Sequence, residues 1–244
     1  MMEYKEFYKE ISNYAKELEI NITDKEANDF YKYMLLLIEW NNKMNLTAIT
    51  DEKDIILKHF IDSISVNKYI KNNKKIMDIG TGAGFPGIPL KILNEDIEFI
   101  LVDALNKRIN FLEEVKNKLN INNLILIHSR VEDLAHNSEY REKSDIVLSR
   151  AVANLSVLVE YMLPFVKKDG YCICMKGPNI DEEIKNAEKA IKTLGGKIEI
   201  IDNIILPQNI ERNIVVIKKI ENTHTRYPRK AGIPSKQPLW SINY

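Results

Sequence analysis

Apolar residues recur three and four positions apart through the first part of the chain: Tyr4, Phe7, Tyr8, Ile11 and Tyr14, then Phe30, Tyr33, Met34, Leu37 and Ile38. That spacing places one apolar stripe along a 3.6-residue helix and predicts amphipathic helices. "TDKE", with Thr23 and Glu26 three apart, has the form of a capping box and marks where a second helix opens. A helical region of about three helices is therefore expected over residues 1–71. Beyond it the rhythm changes to short apolar runs separated by amphipathic stretches. Strands are predicted at 75–79, 98–102, 124–128, 145–149, 171–175 and 214–218, with a less regular one at 197–201. Helices are predicted at 86–93, 107–119, 155–166 and 181–194. This alternation predicts an α/β core over residues 72–221, Rossmann-like, with a mostly parallel sheet of about seven strands and helices on both faces. Residues 222–244 follow as a C-terminal tail expected to pack on or extend the core.

Composition adds constraints rather than a class of its own. The chain has 244 residues, 45% hydrophobic and 29% charged, as in ordinary globular proteins, and no apolar run approaches the roughly 18 residues of a membrane span. The opening "MMEYKEFYKE" lacks the apolar centre of a signal peptide, so a cytoplasmic protein with no membrane partner is expected. Cys172 and Cys174 in "YCICMKG" fall on one face of a strand, where core packing is the expected role. His59, His128, His136 and His224 show no ligand spacing, and no metal is expected. Thirty-five basic residues balance thirty-five acidic ones, which excludes nucleic-acid binding through overall charge. The tail differs: Arg226, Arg229, Lys230 and Lys236 stand there without an acid, among Tyr227, Trp240 and Tyr244. Basic residues interleaved with aromatics suit phosphates and unstacked bases.

The densest signal is "IMDIGTGAGFPGIPL", in which Gly80, Gly82, Gly84 and Gly87 fall within eight positions directly after the first predicted strand. In a doubly wound sheet the loop after that strand floors the ligand crevice, so these glycines predict a ligand loop rather than a bare turn. Gly82, Gly84 and Gly87 also fit G-x-G-x-x-G, the dinucleotide pattern. Charge favours a different ligand. Asp78, inside the strand and expected to face the crevice, would repel a pyrophosphate but attract the ammonium and sulfonium of S-adenosylmethionine. The register "D-x-G-x-G-x-G" fits that donor better, because Gly80 and Thr81 precede Gly82. Asp103, closing the second strand in "FILVDALNKR", is placed to hold ribose hydroxyls under either reading.

"DIGTGAGFPGIPL" together with "WNNKMNLTAIT", "KHFIDSI", "SRAVANLSVL", "MKG" and "YPRKAGIPSKQPL" resembles the RsmG (GidB) family of bacterial 16S rRNA guanine-N7 methyltransferases over nearly the whole chain. The resemblance implies a class I S-adenosylmethionine-dependent methyltransferase fold with an N-terminal helical extension. It also implies S-adenosyl-L-methionine as donor, and guanine 527 of 16S rRNA as acceptor. Carried over by position, donor contacts are Gly80 and Phe85, Val131 and Glu132 in "SRVEDL", and Arg150 in "SRAVA". Asp78, Gly82, Gly84 and Asp103 join them from the loop and charge arguments above. The expected partner is 16S rRNA or the 30S subunit, engaged by a monomer. Lys58, His59, Arg226, Arg229, Lys230 and Lys236 are the candidate RNA contacts.

The residues also narrow the chemistry. Where amino-group methyltransferases carry Asn or Asp before Pro-Pro and an aromatic, this chain reads Ser149, Arg150, Ala151, Val152. Pyrimidine C5 methylation needs a thiolate nucleophile, and both cysteines lie inside a predicted strand. For a ribose 2′-hydroxyl, Lys176 and Glu211 are available but no Asp ends the fourth strand, which leaves that reaction as an alternative. Guanine N7 needs no base, since its lone pair is already nucleophilic; Arg150 is then expected to position donor or RNA rather than to transfer a proton. A nicotinamide-dependent oxidoreductase and a non-catalytic RNA-binding protein are the other classes the sequence allows.

Overall fold

The computed structural model describes residues 1–70, 75–150 and 153–239. Ala151, Val152, Trp240 and Tyr244, noted above, lie outside the described residues. The chain begins with α1 (Tyr4–Glu17) and α2 (Asp24–Met44). Thr23 and Glu26 close the expected capping box at the start of α2. The third helical segment runs from α3 (Glu52–Asp54) through π-helical turns at Ile55–Ile61 into α4 (Asp62–Ile64).

The core then alternates β1 (Lys75–Ile79), α5 (Gly87–Leu93), β2 (Glu98–Asp103), α6 (Asn106–Lys118), β3 (Leu124–His128), α7 (Val131–Leu134), β4 (Ser144–Arg150) and α8 (Leu155–Met162). It continues with β5 (Val166–Lys176), α9 (Asp181–Thr193), β6 (Gly196–Leu206), β7 (Ile210–Lys219) and a last short α10 (Ile233–Lys236). The seven strands pair in the order β3-β2-β1-β4-β5-β7-β6. Among them β7 runs against its neighbours, antiparallel to both β5 and β6, while the other pairings are parallel.

Period-two alternation decides which side chains go to which face. Ile76, Phe99, Leu101, Ile146, Leu148, Ile173, Met175, Ile214 and Val216 join one buried cluster, which also contains Phe7, Ile11, Phe30, Tyr33 and Phe60 of the N-terminal helices. Their sequence neighbours Met77, Ile100, Val102, Val147, Cys172, Cys174, Val215 and Ile217 face the other way, into a cluster shared with α8 and α9. The helical extension is thus part of a sheet-covering layer, continuous with the core. Both cysteines are free and buried, as core packing requires.

The elements differ from the sequence expectation in several places. The helix predicted over 155–166 stops at Met162, because Pro164 lies in a 3-10 turn at Leu163–Phe165 and cannot donate inside a helix. Val166 already belongs to β5, which starts ahead of the apolar run and passes through the polar "KKDG". α7 is an addition: its four residues are too few to show a period in the sequence.

Candidate functional site

β1 delivers the chain into the glycine loop at the C-terminal edge of the sheet. Gly80 and Gly82 have φ of 63° and Gly84 of 99°, a region that penalises side chains. The reasons for the glycines differ. A Cβ on Gly84 would lie 2.7 Å from both the Ile88 side chain and the Tyr33 hydroxyl, whereas a Cβ on Gly82 would meet nothing within 4 Å. Gly84 serves packing; Gly82 presents bare backbone to open space.

Asp78 corrects an expectation. Its carboxylate does not face the crevice but is fully buried beneath the loop, where Oδ2 accepts from the Thr81 hydroxyl at 2.6 Å and the Gly87 amide at 2.9 Å. A Cβ on Gly87 would stand 2.8 Å from that oxygen, so the fourth glycine admits the carboxylate. Oδ1 has no hydrogen-bond partner among the described residues, and burial pushes the group up to about 7. Asp103, 3% exposed, accepts from the Gly82 amide and the Leu105 amide, each at 2.9 Å, and pairs with Arg108 at 3.0 Å. The second-strand acid therefore ties the loop to the end of β2.

Above the loop lies a crevice of about 320 Å³ lined by Thr47, His59, Gly80, Gly82, Phe85 and Arg150, among others. His59 stacks on Phe85 with ring centres 4.3 Å apart and planes 11° apart, and the Arg150 guanidinium lies 5.0 Å from the same ring. Arg150 donates to the Lys58 carbonyl at 3.1 Å, to Asp62 at 3.2 Å and to His59 Nδ1 at 3.1 Å. Since guanidinium only donates, Nδ1 accepts; Nε2 then carries the proton toward the Thr47 hydroxyl at 2.8 Å. Burial, with Arg150 adding to it, holds His59 down at about 3, so the ring is neutral near pH 7. His59, expected on RNA phosphates, is instead a buried wall of the crevice.

Asp62 also accepts from Arg212 Nε at 3.1 Å, joining the third helical segment to β4 and β7. Thr47, Asp62 and Arg212 escape a reading residue by residue. The first two lie inside "WNNKMNLTAIT" and "KHFIDSI", strings whose family likeness is the signal that points to them.

At the far side, Val131 is half-buried at the start of α7, and Glu132 is buried, accepting from the Gly232 amide of the tail at 3.3 Å. The tail folds back on the core. Arg229 grips the fully buried Glu160 through Nε at 2.9 Å and a terminal nitrogen at 2.7 Å, and Arg141 donates to the carbonyls of Thr223 and Tyr227. Arg229 is consequently an anchor rather than a free phosphate ligand, a third correction. Arg226, over the Tyr227 ring at 4.7 Å, stays exposed with Lys230 and Lys236, and Lys58 pairs with Asp54 at 2.8 Å while remaining accessible. A second cavity of about 430 Å³ opens at the end of β5, lined by Asn154, Lys176 and Glu183 among others.

A family model described as rRNA small subunit methyltransferase G matches residues 26–224. The chain is 53% identical to the ribosomal RNA small subunit methyltransferase G of Alkaliphilus oremlandii, covering 98% of this chain and 100% of that protein. It is 51% identical to the protein of that name from Clostridium tetani, with 96% and 99% covered. Among solved structures, a SAM-dependent methyltransferase from Aquifex aeolicus superposes with TM-score 0.52 at 17% identity over 75% of this chain and 98% of that one, a likeness of fold.

Proposed function

Because the chain belongs to the rRNA small subunit methyltransferase G family, we propose that it transfers a methyl group from S-adenosyl-L-methionine to N7 of a guanine in 16S rRNA, guanine 527 by family likeness. The observation that carries this reading is the crevice itself, with backbone at Gly80 and Gly82 left bare beside an acid at the end of β2.

The residues fit such a donor. Gly82 leaves open space where a side chain would intrude, and the Asp103 carboxylate, bonded to the Gly82 amide at the end of β2, would accept from two ribose hydroxyls in place of Arg108. Val131 and Glu132 would hold the adenine end beyond β3, with Phe85 and Arg150 at the methionine end. Asp78 contributes from below, holding Thr81 and Gly87 so that the loop keeps its shape. When bound, the donor supplies a methyl group made electrophilic by its sulfonium.

With the donor so held, guanine N7 would supply the lone pair for the transfer, the N–C bond forming as the C–S bond breaks and its pair leaving on sulfur. No proton moves in this step. The protein's part is alignment, an effect that reaches about 7–11 kcal/mol in favourable intramolecular cases. Neutral His59 suits the site, since the base becomes cationic and a second positive ring would oppose it. The 2′-hydroxyl alternative weakens: Arg150 rather than an Asp ends β4, and Glu211 is exposed on β7.

In this reading segment 1–71 walls the donor crevice, 72–221 carries the chemistry and 222–244 meets RNA, in a cytoplasmic monomer acting on rRNA or the 30S subunit. The test is mass mapping of 16S rRNA from cells with and without the gene. Loss of one N7-methylguanine supports the reading; an unchanged map refutes it.

A further inference from the structure

The strands lay out the donor site in order. Val131 and Glu132 sit past β3, Asp103 ends β2, the glycine loop follows β1 and Arg150 ends β4; the next strand in the sheet is β5. Met175 of β5 is the register partner of Arg150, so Lys176 stands one residue beyond, at the same edge of the sheet. There Lys176 and Glu183 form an ion pair at 2.6 Å, with side chains only 10% and 18% exposed, in the wall of the 430 Å³ cavity. Taking both charges out of water is expensive, and a fold that needed only to fasten α9 to β5 could do so with apolar residues. A paired, nearly buried cation and anion facing a cavity beside a reaction centre suit a ligand that presents acceptor and donor side by side.

Resting on the guanine-N7 reading above, we propose that Lys176 and Glu183 read the Watson–Crick edge of the target guanine, the ammonium donating to O6 and the carboxylate accepting from N1–H and the exocyclic N2 amine. Adenine, with an amine where guanine has O6 and no hydrogen on N1, opposes this pattern at both positions. Holding that edge on the β5 side leaves N7, on the adjacent Hoogsteen edge beside O6, unoccupied and free to be turned toward β4 and the donor crevice. The pairing also agrees with the chemistry. Methylation at N7 makes the base cationic and its N1–H a stronger donor, so the bond to Glu183 tightens as the methyl group arrives. The carboxylate beside Lys176 offsets the repulsion that a lone ammonium near O6 would impose.

Glu183 Oε1 also accepts from the Leu155 amide at 2.5 Å, capping α8, so a purely structural role has to be separated from recognition. Glu183→Gln keeps an oxygen for that amide while losing the charge. Methyl transfer is measured on 30S subunits reconstituted with 16S rRNA carrying guanosine, inosine or 2-aminopurine at the target position. Inosine lacks the N2 amine; 2-aminopurine lacks O6 and N1–H. The wild-type protein is expected to favour guanosine over inosine in kcat/KM by roughly tenfold or more, as for a hydrogen bond removed from a charged group. Glu183→Gln should shrink that ratio by slowing guanosine more than inosine, which keeps only the N1–H bond, with the calorimetric Kd for S-adenosylmethionine unchanged within twofold. Lys176→Met should likewise compress the guanosine to 2-aminopurine ratio, an arm that decides independently if the first variant does not fold. Equal slowing on all three bases would overturn the assignment while leaving the function intact. Absence of methylation on the guanosine subunit by the wild-type protein would instead overturn the function, and the assignment with it.

Discussion

Asp62 has two guanidiniums on one carboxylate, Arg150 at 3.2 Å and Arg212 at 3.1 Å, and is itself 3% exposed. Arg150 is aimed by that bond and by the carbonyl of Lys58, so its place over Phe85 depends on a residue outside the crevice lining. Asp62→Asn is expected to weaken S-adenosylmethionine binding about tenfold, read by calorimetry well below the melting temperature, with KM for 30S subunits little changed; unaltered donor affinity would contradict the coupling. His59 makes a pH prediction. Its unfolded value is near 6.5 and its folded one about 3, so the folded state binds fewer protons between them. Its contribution is complete above pH 6.5 and is lost as pH falls, by about 2 kcal/mol at pH 5. Asp78, raised from 3.8 to about 7, works in the opposite direction over an overlapping window, stabilising at low pH and losing that as pH rises. The difference between variant and wild type isolates one of them: His59→Gln should gain stability relative to wild type between pH 7 and pH 5 in thermal melts, and a pH-independent difference would contradict the burial of a neutral ring. At this scale the sequence is an uneven guide. The loop glycines announce themselves because φ and close approach admit no substitute, but whether Asp78 points into or under the loop depends on Thr81 and Gly87 closing around it, which no spacing encodes.

Among elements, the central strands β1, β2 and β4 are the most legible, because both their faces are buried and each reads as an apolar run. The order of the strands is not, since pairing β7 between β5 and β6 is a long-range outcome that local pattern does not carry. The tail shows a finer limit. Its four basic residues look alike in sequence, yet Arg229 closes on Glu160, which has no exposure at all, while Arg226, Lys230 and Lys236 remain outside. Only the partner distinguishes them, and that partner lies 69 residues away. Arg229→Ala would strand a buried carboxylate and is expected to cost about 3–5 kcal/mol of stability in denaturant unfolding; a loss under about 1 kcal/mol would contradict the anchor. Replacing Arg226, Lys230 and Lys236 together by Ala should leave stability nearly unchanged but weaken 30S binding and flatten its salt dependence, by about 0.7–0.9 in the log–log slope for each phosphate left unneutralised. An unchanged slope would remove the tail from the RNA interface.

The molecule as a whole joins its parts through one apolar layer. Phe7, Phe30, Tyr33 and Phe60 of the helical extension pack into the same cluster as Ile76, Leu101 and Ile146 of the sheet, and Tyr33 reaches the loop itself by donating to the Ala83 carbonyl. The extension therefore shapes the crevice as well as covering the sheet, whereas helical periodicity alone predicts only the covering. In the proposed reading the sheet edge from β3 to β5 would hold adenine, ribose, methyl group and base in turn, and the activity depends on a methyl group passing along that edge to a nitrogen needing no activation. Incubating the purified protein with labelled S-adenosylmethionine and 30S subunits from cells lacking the gene, then cleaving the RNA chemically at N7-methylguanine, tests this most directly. One labelled cut in 16S rRNA is predicted. Label incorporated without any such cut would place the methyl group on another atom and contradict the mechanism.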